Sequence, residues 1–396
     1  MARSCQFVLG SRSGPAEWSY DGSSLTVAPA VGAPVVVPLA EISGVSGDGY
    51  TVTLLVPGAG GGSSHETAQS PATVSELTLA KLGAEGPTLL ERLRREWLVA
   101  RADVLRLGGS GEGKPFYGRV TGFDSTPTAP ESFQALLFED VLVVAREGRD
   151  LEAVFLALLG SVEFDEPSYS VRMRQWPGQE IVFSKMAGQT DEFVKALREN
   201  RGLLAEEAAA NLAAAVPALP AGGRASLSGM WLPGRLMEVD GIDAVCPGFG
   251  AMLRDEWLER LVRKDEGRDL LQLASGGSVW LGCTRGEGPL PVWLLCGKNG
   301  VWLLEALSIE DRATYCFTGG DEVPVLVSRL LCAPQFSKEA LYNPLENLTG
   351  DNAQLAIAAQ HLDFLVALRG RFKGRVIHQS FESWCADVQG LIEAGG

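Results

Sequence analysis

The feature that most constrains the fold of this chain is an internal repeat. Residues 25–45 align without gaps on residues 142–162, and seven of the 21 aligned positions are identical. A second block, residues 76–96, aligns without gaps on residues 180–200. The identical pairs of the second block are Glu76 with Glu180, Lys81 with Lys185, Leu93 with Leu197, and Arg94 with Arg198. A repeat of this length predicts one folding unit that is used twice.

Each copy of the repeat predicts short β-strands followed by one amphipathic helix. Residues 50–54 and 169–173 alternate in the way that is typical of a half-buried strand. Apolar side chains then recur at helical spacing after the last strand of each copy. They are Leu89, Leu90, Leu93 and Trp97 in the first copy, and Phe193, Val194 and Leu197 in the second. The first copy also carries a Gly- and Ser-rich loop insertion at residues 57–75.

This pattern resembles the pleckstrin-homology-like (PH-like) fold, a split barrel of seven strands with a helix at one end. The resemblance rests on residues 25–45, 50–55 and 76–97 in the first copy, and on residues 142–162, 169–174 and 180–200 in the second. It implies a multi-domain α+β protein with two tandem PH-like split β-barrels, each closed by a C-terminal helix. The whole is similar to bacterial proteins of unknown function with tandem PH-like modules.

The resemblance also says where a lipid headgroup would bind. PH-like domains that bind phosphoinositides use a Lys/Arg cluster in the loop that joins their first two strands. We take these loops to be residues 21–24 and 138–140, and neither loop contains a basic residue. Phosphoinositide binding is therefore not expected.

Composition shifts predict the domain boundaries. Residues 217–229 have the Pro, Gly, Ser and Ala content of a linker. The predicted units are the first copy at residues 1–104, the second copy at 105–216, the linker at 217–229 and a C-terminal α+β region at 230–396.

The C-terminal region has predicted elements of its own. Strands are predicted at residues 278–282, 292–296, 301–305, 313–317 and 323–331, and a long helix at 351–372. Strands before a helix are compatible with a third, diverged PH-like unit. The region does not align with the two copies, so this interpretation stays open.

Charge separates the classes of possible partner. The chain has 34 Lys and Arg against 49 Asp and Glu, which gives a net charge of −15. This sign opposes binding to nucleic acid, because such binding depends on neutralising phosphates with basic residues. No run of about 20 apolar residues predicts a membrane span. The seven cysteines are scattered and include no C-x-x-C pair, which is typical of a reducing cytoplasm and predicts no zinc site.

No arrangement of residues predicts catalysis or a cofactor. Residues 108–115 match the glycines and lysine of a Walker A motif, but Pro115 stands where the motif needs a Ser or Thr hydroxyl for Mg²⁺. The three histidines are His65, His361 and His378. They form no triad or metal motif with neighbouring residues. We therefore predict no catalytic residue, no cofactor-binding residue and no metal ligand.

Six residues form the predicted candidate binding surface. Arg172 and Arg174 point to one side of a predicted strand, with Lys185 nearby, although such a pair is usually a solvated face. Trp293 and Trp302 lie on predicted strands, where core packing is the usual role and a peptide groove the alternative. His361 shares a helix face with apolar residues, which is typical of a packed histidine.

These observations favour a non-enzymatic cytoplasmic protein-interaction or scaffold protein with a protein partner. One alternative is an enzyme of unknown chemistry whose site lies in residues 230–396. A weaker alternative is binding of anionic lipid through Arg172, Arg174 and Lys185.

Overall fold

Three antiparallel sheets and the helices between them make this a mixed α+β protein. The computed structural model describes residues 3–48, 50–57, 74–108, 112–123, 129–215, 219–260, 269–272, 275–285, 292–306, 313–335, 337–378 and 380–394. Most of the loop insertion, with His65, lies outside the described residues, as do residues 109–111 of the Walker-like run.

The first sheet has seven strands. They are β1 (Arg3–Leu9), β2 (Arg12–Tyr20), β3 (Ser24–Pro29), β4 (Val35–Pro38), β5 (Gly44–Gly47), β6 (Thr51–Pro57) and β7 (Val74–Ala80). Their spatial order is β4-β3-β2-β1-β7-β6-β5. Consequently β4 and β5, which a 3₁₀ turn at Leu39–Glu41 separates in the chain, form the two edges of the sheet.

The second sheet repeats the first. Its strands are β8 (Lys114–Thr121), β9 (Glu131–Leu137), β10 (Val141–Arg146), β11 (Glu152–Phe155), β12 (Leu159–Asp165), β13 (Ser170–Gln175) and β14 (Gln179–Ser184). Their order is β11-β10-β9-β8-β14-β13-β12, which matches the first sheet strand for strand. The predicted repeat is confirmed at this level. Even local strain is shared, because the aligned Lys81 and Lys185 both have left-handed backbone, with φ of 59° and 52°.

One long helix follows the last strand of each sheet, as the amphipathic pattern predicts. Helix α1 spans Gly86–Val104 and helix α2 spans Thr190–Ala215. Leu93 of α1 and Leu197 of α2 occupy aligned positions, and both are fully buried. Burial of a side chain of this size contributes roughly 1.5–3 kcal/mol.

Both helices also donate a hydrogen bond to the backbone at equivalent places. Trp97 Nε1 donates to the Ile42 carbonyl at 2.7 Å, and Arg201 Nη2 donates to the Leu159 carbonyl at 2.8 Å. Trp97 aligns with Arg201, and Ile42 aligns with Leu159. Two different side chains therefore satisfy the same buried carbonyl near the fifth strand of each copy.

The loops that we assigned to the first two strands of each copy were placed wrongly. Residues 21–24 follow β2, and residues 138–140 follow β9, so these loops join the second strand to the third. The assignment was wrong because the aligned block begins in the third strand, and the two preceding strands have no aligned sequence. The loops that join the first two strands are residues 10–11 and 122–130, and they contain no Lys or Arg.

The third sheet has a different strand order. Its strands are β15 (Met237–Glu238), β16 (Ser278–Cys283), β17 (Val292–Lys298), β18 (Val301–Ala306), β19 (Ala313–Thr318) and β20 (Phe372–Ile377). They lie side by side in sequence order, so this sheet does not repeat the first two. Strands β17 and β18 form a hairpin: Lys298 pairs with Val301 across Asn299 and Gly300, whose φ values of 52° and 76° are those of a type I′ turn.

Within the described residues, eight further helices belong to the C-terminal part of the chain, besides a short helical stretch at residues 269–272. They are α3 (Ala221–Ser228), α4 (Val239–Val245), α5 (Phe249–Arg260), α6 (Glu322–Cys332), α7 (Glu339–Tyr342), α8 (Ala353–His361), α9 (Asp363–Arg371) and α10 (Phe381–Ala394). Helix α3 lies within the stretch predicted as a linker. Leu219 just before it and Leu227 within it are buried, so this helix packs against the protein.

Two predicted elements of the C-terminal region were wrong. The strand predicted at residues 323–331 is helix α6, because its buried residues Val323, Val327 and Leu330 recur at helical and not at strand spacing. The single helix predicted at residues 351–372 is two helices, because Leu362 has extended backbone and is itself buried.

Candidate functional site

The two copies meet where a turn of the second copy packs against the first. This turn, residues 147–150, joins β10 to β11 and contacts α1 and the edge strand β5. Glu147 Oε1 is 2.9 Å from Arg94 Nη2, and it accepts a longer bond of 3.4 Å from the Gly47 backbone N–H. A groove of about 350 Å³ beside this contact is lined by α1 and by the second sheet. An acidic turn therefore occupies the space between the helix and the fifth strand of the first copy.

The same turn ends in a buried ion pair. The Arg101 side chain is 1% exposed, and its Nε and Nη2 donate to the two carboxylate oxygens of Asp150 at 3.1 and 2.7 Å. Arg101 Nη1 donates to the Ala40 carbonyl at 2.9 Å. His361 Nδ1 lies 2.8 Å from Asp150 Oδ2. One carboxylate of the second copy thus joins the first copy to the C-terminal region.

Asp150 should make stability depend on pH. Burial by itself would raise its pKa, but the hydrogen bonds with His361 and Arg101 outweigh burial, so the pKa of Asp150 lies below its usual range. A carboxyl group whose pKa is lowered by folding stabilises the protein above its unfolded pKa of about 4, and this contribution is lost as pH falls towards the folded pKa. We expect the wild type to have a larger free energy of unfolding than Asp150→Asn. This difference should be greatest at pH 7 and should shrink below about pH 4.

Urea denaturation of both proteins at several pH values from 7 to 3 measures this difference. The asparagine side chain cannot ionise. Asp150→Asn is therefore the reference that lacks the pH dependence contributed by the Asp150 carboxyl group. A difference of the same size at pH 7 and pH 3 would contradict the prediction.

The second copy has the equivalent surface, between α2 and its fifth strand β12, but this surface is built from different residues. Glu91, Arg94 and Trp97 of α1 align with Lys195, Arg198 and Arg201 of α2. In the first copy, Val45 on β5 is 3% exposed and lines the groove beside the second copy. Its counterpart on β12, Val162, is only half-buried. This surface, which we call the β12–α2 groove, is therefore less covered than its counterpart.

Strand β12 is also an open sheet edge. It pairs with β13 on one side, and no strand in the described part of the chain pairs with its other side. It has seven residues, whereas the covered strand β5 has four. Gly160 and Glu163 on β12 are exposed. A longer open edge offers more unpaired backbone groups to an extended segment.

The basic side chains of the β12–α2 groove are weakly paired. Arg198 is exposed and makes no hydrogen bond or ion pair within the described residues. Lys195 is 74% exposed and lies 3.7 Å from the Glu199 carboxylate. Burial lowers the pKa of Arg201, and among the described residues no carboxylate pairs with it. Three cations therefore lie along this side of α2, while Glu199 on α2 and Glu163 on β12 are the exposed acidic residues near them.

The predicted basic residues on β13 are held by an acidic neighbour. Arg172 Nε lies 3.4 Å from Glu180 Oε1, and Arg174 Nε lies 3.3 Å from Glu180 Oε2. Lys185 is exposed just beyond the end of β14. Because Glu180 pairs with both arginines, its negative charge offsets part of their positive charge, and the net positive charge of this site is lower than the sequence indicates.

The two predicted tryptophans lie in the third sheet. Trp302 is 6% exposed, and its Nε1 donates to the Gly319 carbonyl at 3.1 Å. Trp302 is therefore a core residue. Trp293 is also buried, but one side of it lines a cleft. His361 is half-buried at the end of α8, against Asp150. The six predicted residues thus lie on different elements and do not form one surface.

The cleft beside Trp293 has a volume of about 770 Å³ and lies between the second copy and the C-terminal region. Asp140 and Arg285 line it, with 3.7 Å between the carboxylate and the guanidinium. Burial raises the pKa of the Asp140 carboxyl. Burial also raises the pKa of the Cys332 thiol in the wall, so that thiol stays protonated.

A second polar cluster is closed off inside the third sheet. Glu305 and Thr314 are fully buried, and Thr314 Oγ1 donates to Glu305 Oε2 at 2.6 Å. His378 Nε2 lies 3.0 Å from the same hydroxyl, and Trp384 Nε1 donates to it at 2.8 Å. Within the described ranges, no group of three or more His, Cys, Asp or Glu residues could hold a metal ion.

The sequence prediction missed the β12–α2 groove. One signal was present, since Arg198 is identical to Arg94 in the aligned repeat and Lys195 replaces Glu91. Exposure of an edge strand depends on which part of the chain covers it, and no local pattern indicates this.

Comparison with known proteins does not identify a family. No protein-family model matches the chain, and no curated protein matches it significantly. Among the helices of the described residues, none is long and apolar enough to cross a membrane.

Proposed function

We propose that this is a non-enzymatic protein-interaction or scaffold protein of the cytoplasm, built of two tandem PH-like modules at residues 1–104 and 105–216. Support for PH-like modules comes from the shared order of seven strands and from the long helix after each sheet. The C-terminal region is not proposed as a third module, because its strand order differs. All seven cysteines are free thiols, which favours a reducing compartment.

The observation that carries this proposal is the contrast between the two edge strands β5 and β12. The first copy uses the groove between its helix and β5 to hold residues 147–150 of the second copy. In the second copy, the same groove has an open strand and a half-buried Val162. An open edge beside a helix is a surface to which an extended segment adds as a further strand. We therefore propose that partner proteins bind at β12.

A peptide selection with the full-length protein tests this proposal. The protein is screened against short random peptides displayed on phage, and selected peptides are mapped by hydrogen–deuterium exchange. We expect protection to be concentrated in residues 159–165, because new backbone hydrogen bonds would form there. Val162→Asp should weaken binding, since it places a charge in the groove.

The matched control is Val36→Asp, which changes an exposed valine on the edge strand β4 of the first copy and should leave peptide binding unchanged. Circular dichroism confirms that both variants are folded. If no peptide binds, or if protection falls on the cleft beside Trp293 and not on β12, the proposal is wrong.

The cleft beside Trp293 favours a second candidate function, an enzyme acting on a small molecule. A volume of about 770 Å³ is large enough for such a ligand. The raised pKa of Asp140 would suit a general acid. Turnover in a broad substrate screen that is lost in Asp140→Asn and retained in Glu85→Gln, an exposed carboxylate of the first copy, would support this candidate. A screen without turnover would count against it.

A further inference from the structure

The first copy shows what kind of group its groove accepts. The occupant is residues 147–150, and α1 contacts it through two ion pairs, Arg94 with Glu147 at 2.9 Å and the buried Arg101 with Asp150 at 2.7 Å. Arg94 also donates to the Gly47 carbonyl of β5, at 3.4 Å. The arginine therefore links an incoming carboxylate to the edge strand.

The second copy keeps this arginine and adds charge around it. Arg198, the counterpart of Arg94, has no partner within the described residues. Lys195 stands where the first copy has Glu91, and Arg201 stands where it has Trp97. These three residues recur every three positions, so they lie along one side of α2. At these three aligned positions the second copy has three cations, where the first copy has one cation, one anion and a tryptophan. Arg101, the other arginine that holds the occupant in the first copy, aligns with Ala205.

We infer that the β12–α2 groove binds an acidic segment of a partner protein, with Arg198 pairing with a carboxylate of that segment. The inference rests on the proposed function and adds the chemistry of the partner. The segment lies along β12, as residues 147–150 lie against β5, and its carboxylates face Lys195, Arg198 and Arg201. Charge complementarity favours this partner, because an Arg–carboxylate hydrogen bond is among the stronger polar contacts between proteins.

The peptides selected by the full-length protein test the inference directly. We expect them to be enriched in Asp and Glu. Arg198→Gln should weaken binding by about tenfold or more, because each peptide loses its charge-assisted bond. The matched control is Arg95→Gln, which removes the same charge from a 75% exposed arginine of α1. It should change affinity by less than about twofold, since an exposed charge outside the groove acts only through screened long-range attraction.

A charge exchange gives a positive readout. The Arg198→Glu variant should not bind a selected acidic peptide. The same variant should bind a version of that peptide in which the essential acidic residue is replaced by lysine. Restored binding would show that the two side chains meet, which a merely destabilised variant could not produce.

Other outcomes separate this inference from the proposed function. If selected peptides protect β12 but carry no acidic preference and ignore Arg198→Gln, the inference is overturned and the proposed function stands. If no peptide binds, both fail. Binding of full-length protein to phosphatidylserine vesicles that depends on Arg198, or self-association that depends on it in sedimentation velocity, would assign another occupant and overturn the inference.

Discussion

Replacing Asp150 with alanine is expected to lower the free energy of unfolding by about 3–5 kcal/mol, because it leaves a buried guanidinium without its counter-ion. The Arg101 side chain is 1% exposed and donates two hydrogen bonds to this carboxylate. His361 loses its partner in the same variant. Urea denaturation followed by circular dichroism measures the change.

The control for Asp150→Ala is Asp363→Ala. Asp363 forms the same two-bond pair with Arg329, at 2.7 and 2.9 Å, but its side chain is 72% exposed. Asp363→Ala should lower the free energy of unfolding by about 1 kcal/mol or less. Adding Arg101→Met to Asp150→Ala should recover part of the loss, because the unpaired charge is removed. Equal costs for the two aspartate variants would show that burial of Arg101 does not matter.

Thr314→Val should lower the free energy of unfolding by about 3 kcal/mol, although the two side chains have nearly the same shape. The Thr314 hydroxyl donates to the buried Glu305 carboxylate and accepts the Trp384 indole N–H. Valine takes away both bonds inside the third sheet, where water cannot replace them. Thermal and urea denaturation both measure this loss.

A second threonine on a strand provides the comparison. Thr53 on β6 faces Thr78 on β7 with 3.3 Å between their hydroxyl oxygens, in a partly exposed position. Thr53→Val should lower the free energy of unfolding by less than about 1 kcal/mol, because solvent can form a hydrogen bond with the remaining Thr78 hydroxyl. The prediction for Thr314 fails if both variants lose the same stability.

The sequence allowed the two copies to be predicted well, because each rests on local patterns that occur twice. Strands β10 and β11 and helix α2 lie where the alignment with β3, β4 and α1 places them. The loop assignment failed because the first two strands of each copy have no aligned sequence. In the C-terminal region, β-branched residues such as Val323 and Val327 indicated a strand, but packing on one face of a helix outweighed that preference.

The polar sites were harder to predict than the fold. Asp150 meets Arg101 and His361 across three parts of the chain, and residues so far apart in sequence share no spacing that predicts contact. The same holds for Glu305 and Trp384. The arginine pair on β13 was visible in the sequence, but Glu180, which lies between them, was not recognised as their partner.

The way in which one copy holds the other also bears on assembly. A turn that fits the groove of the preceding copy is a head-to-tail contact, and such contacts can propagate from molecule to molecule into a filament. The equivalent turn of the first copy is residues 30–34, with the sequence AVGAP, and Val31 in it is 88% exposed. It has no carboxylate to offer to the groove of another molecule. The acidic contact that joins the second copy to the first therefore has no equivalent in the turn of the first copy.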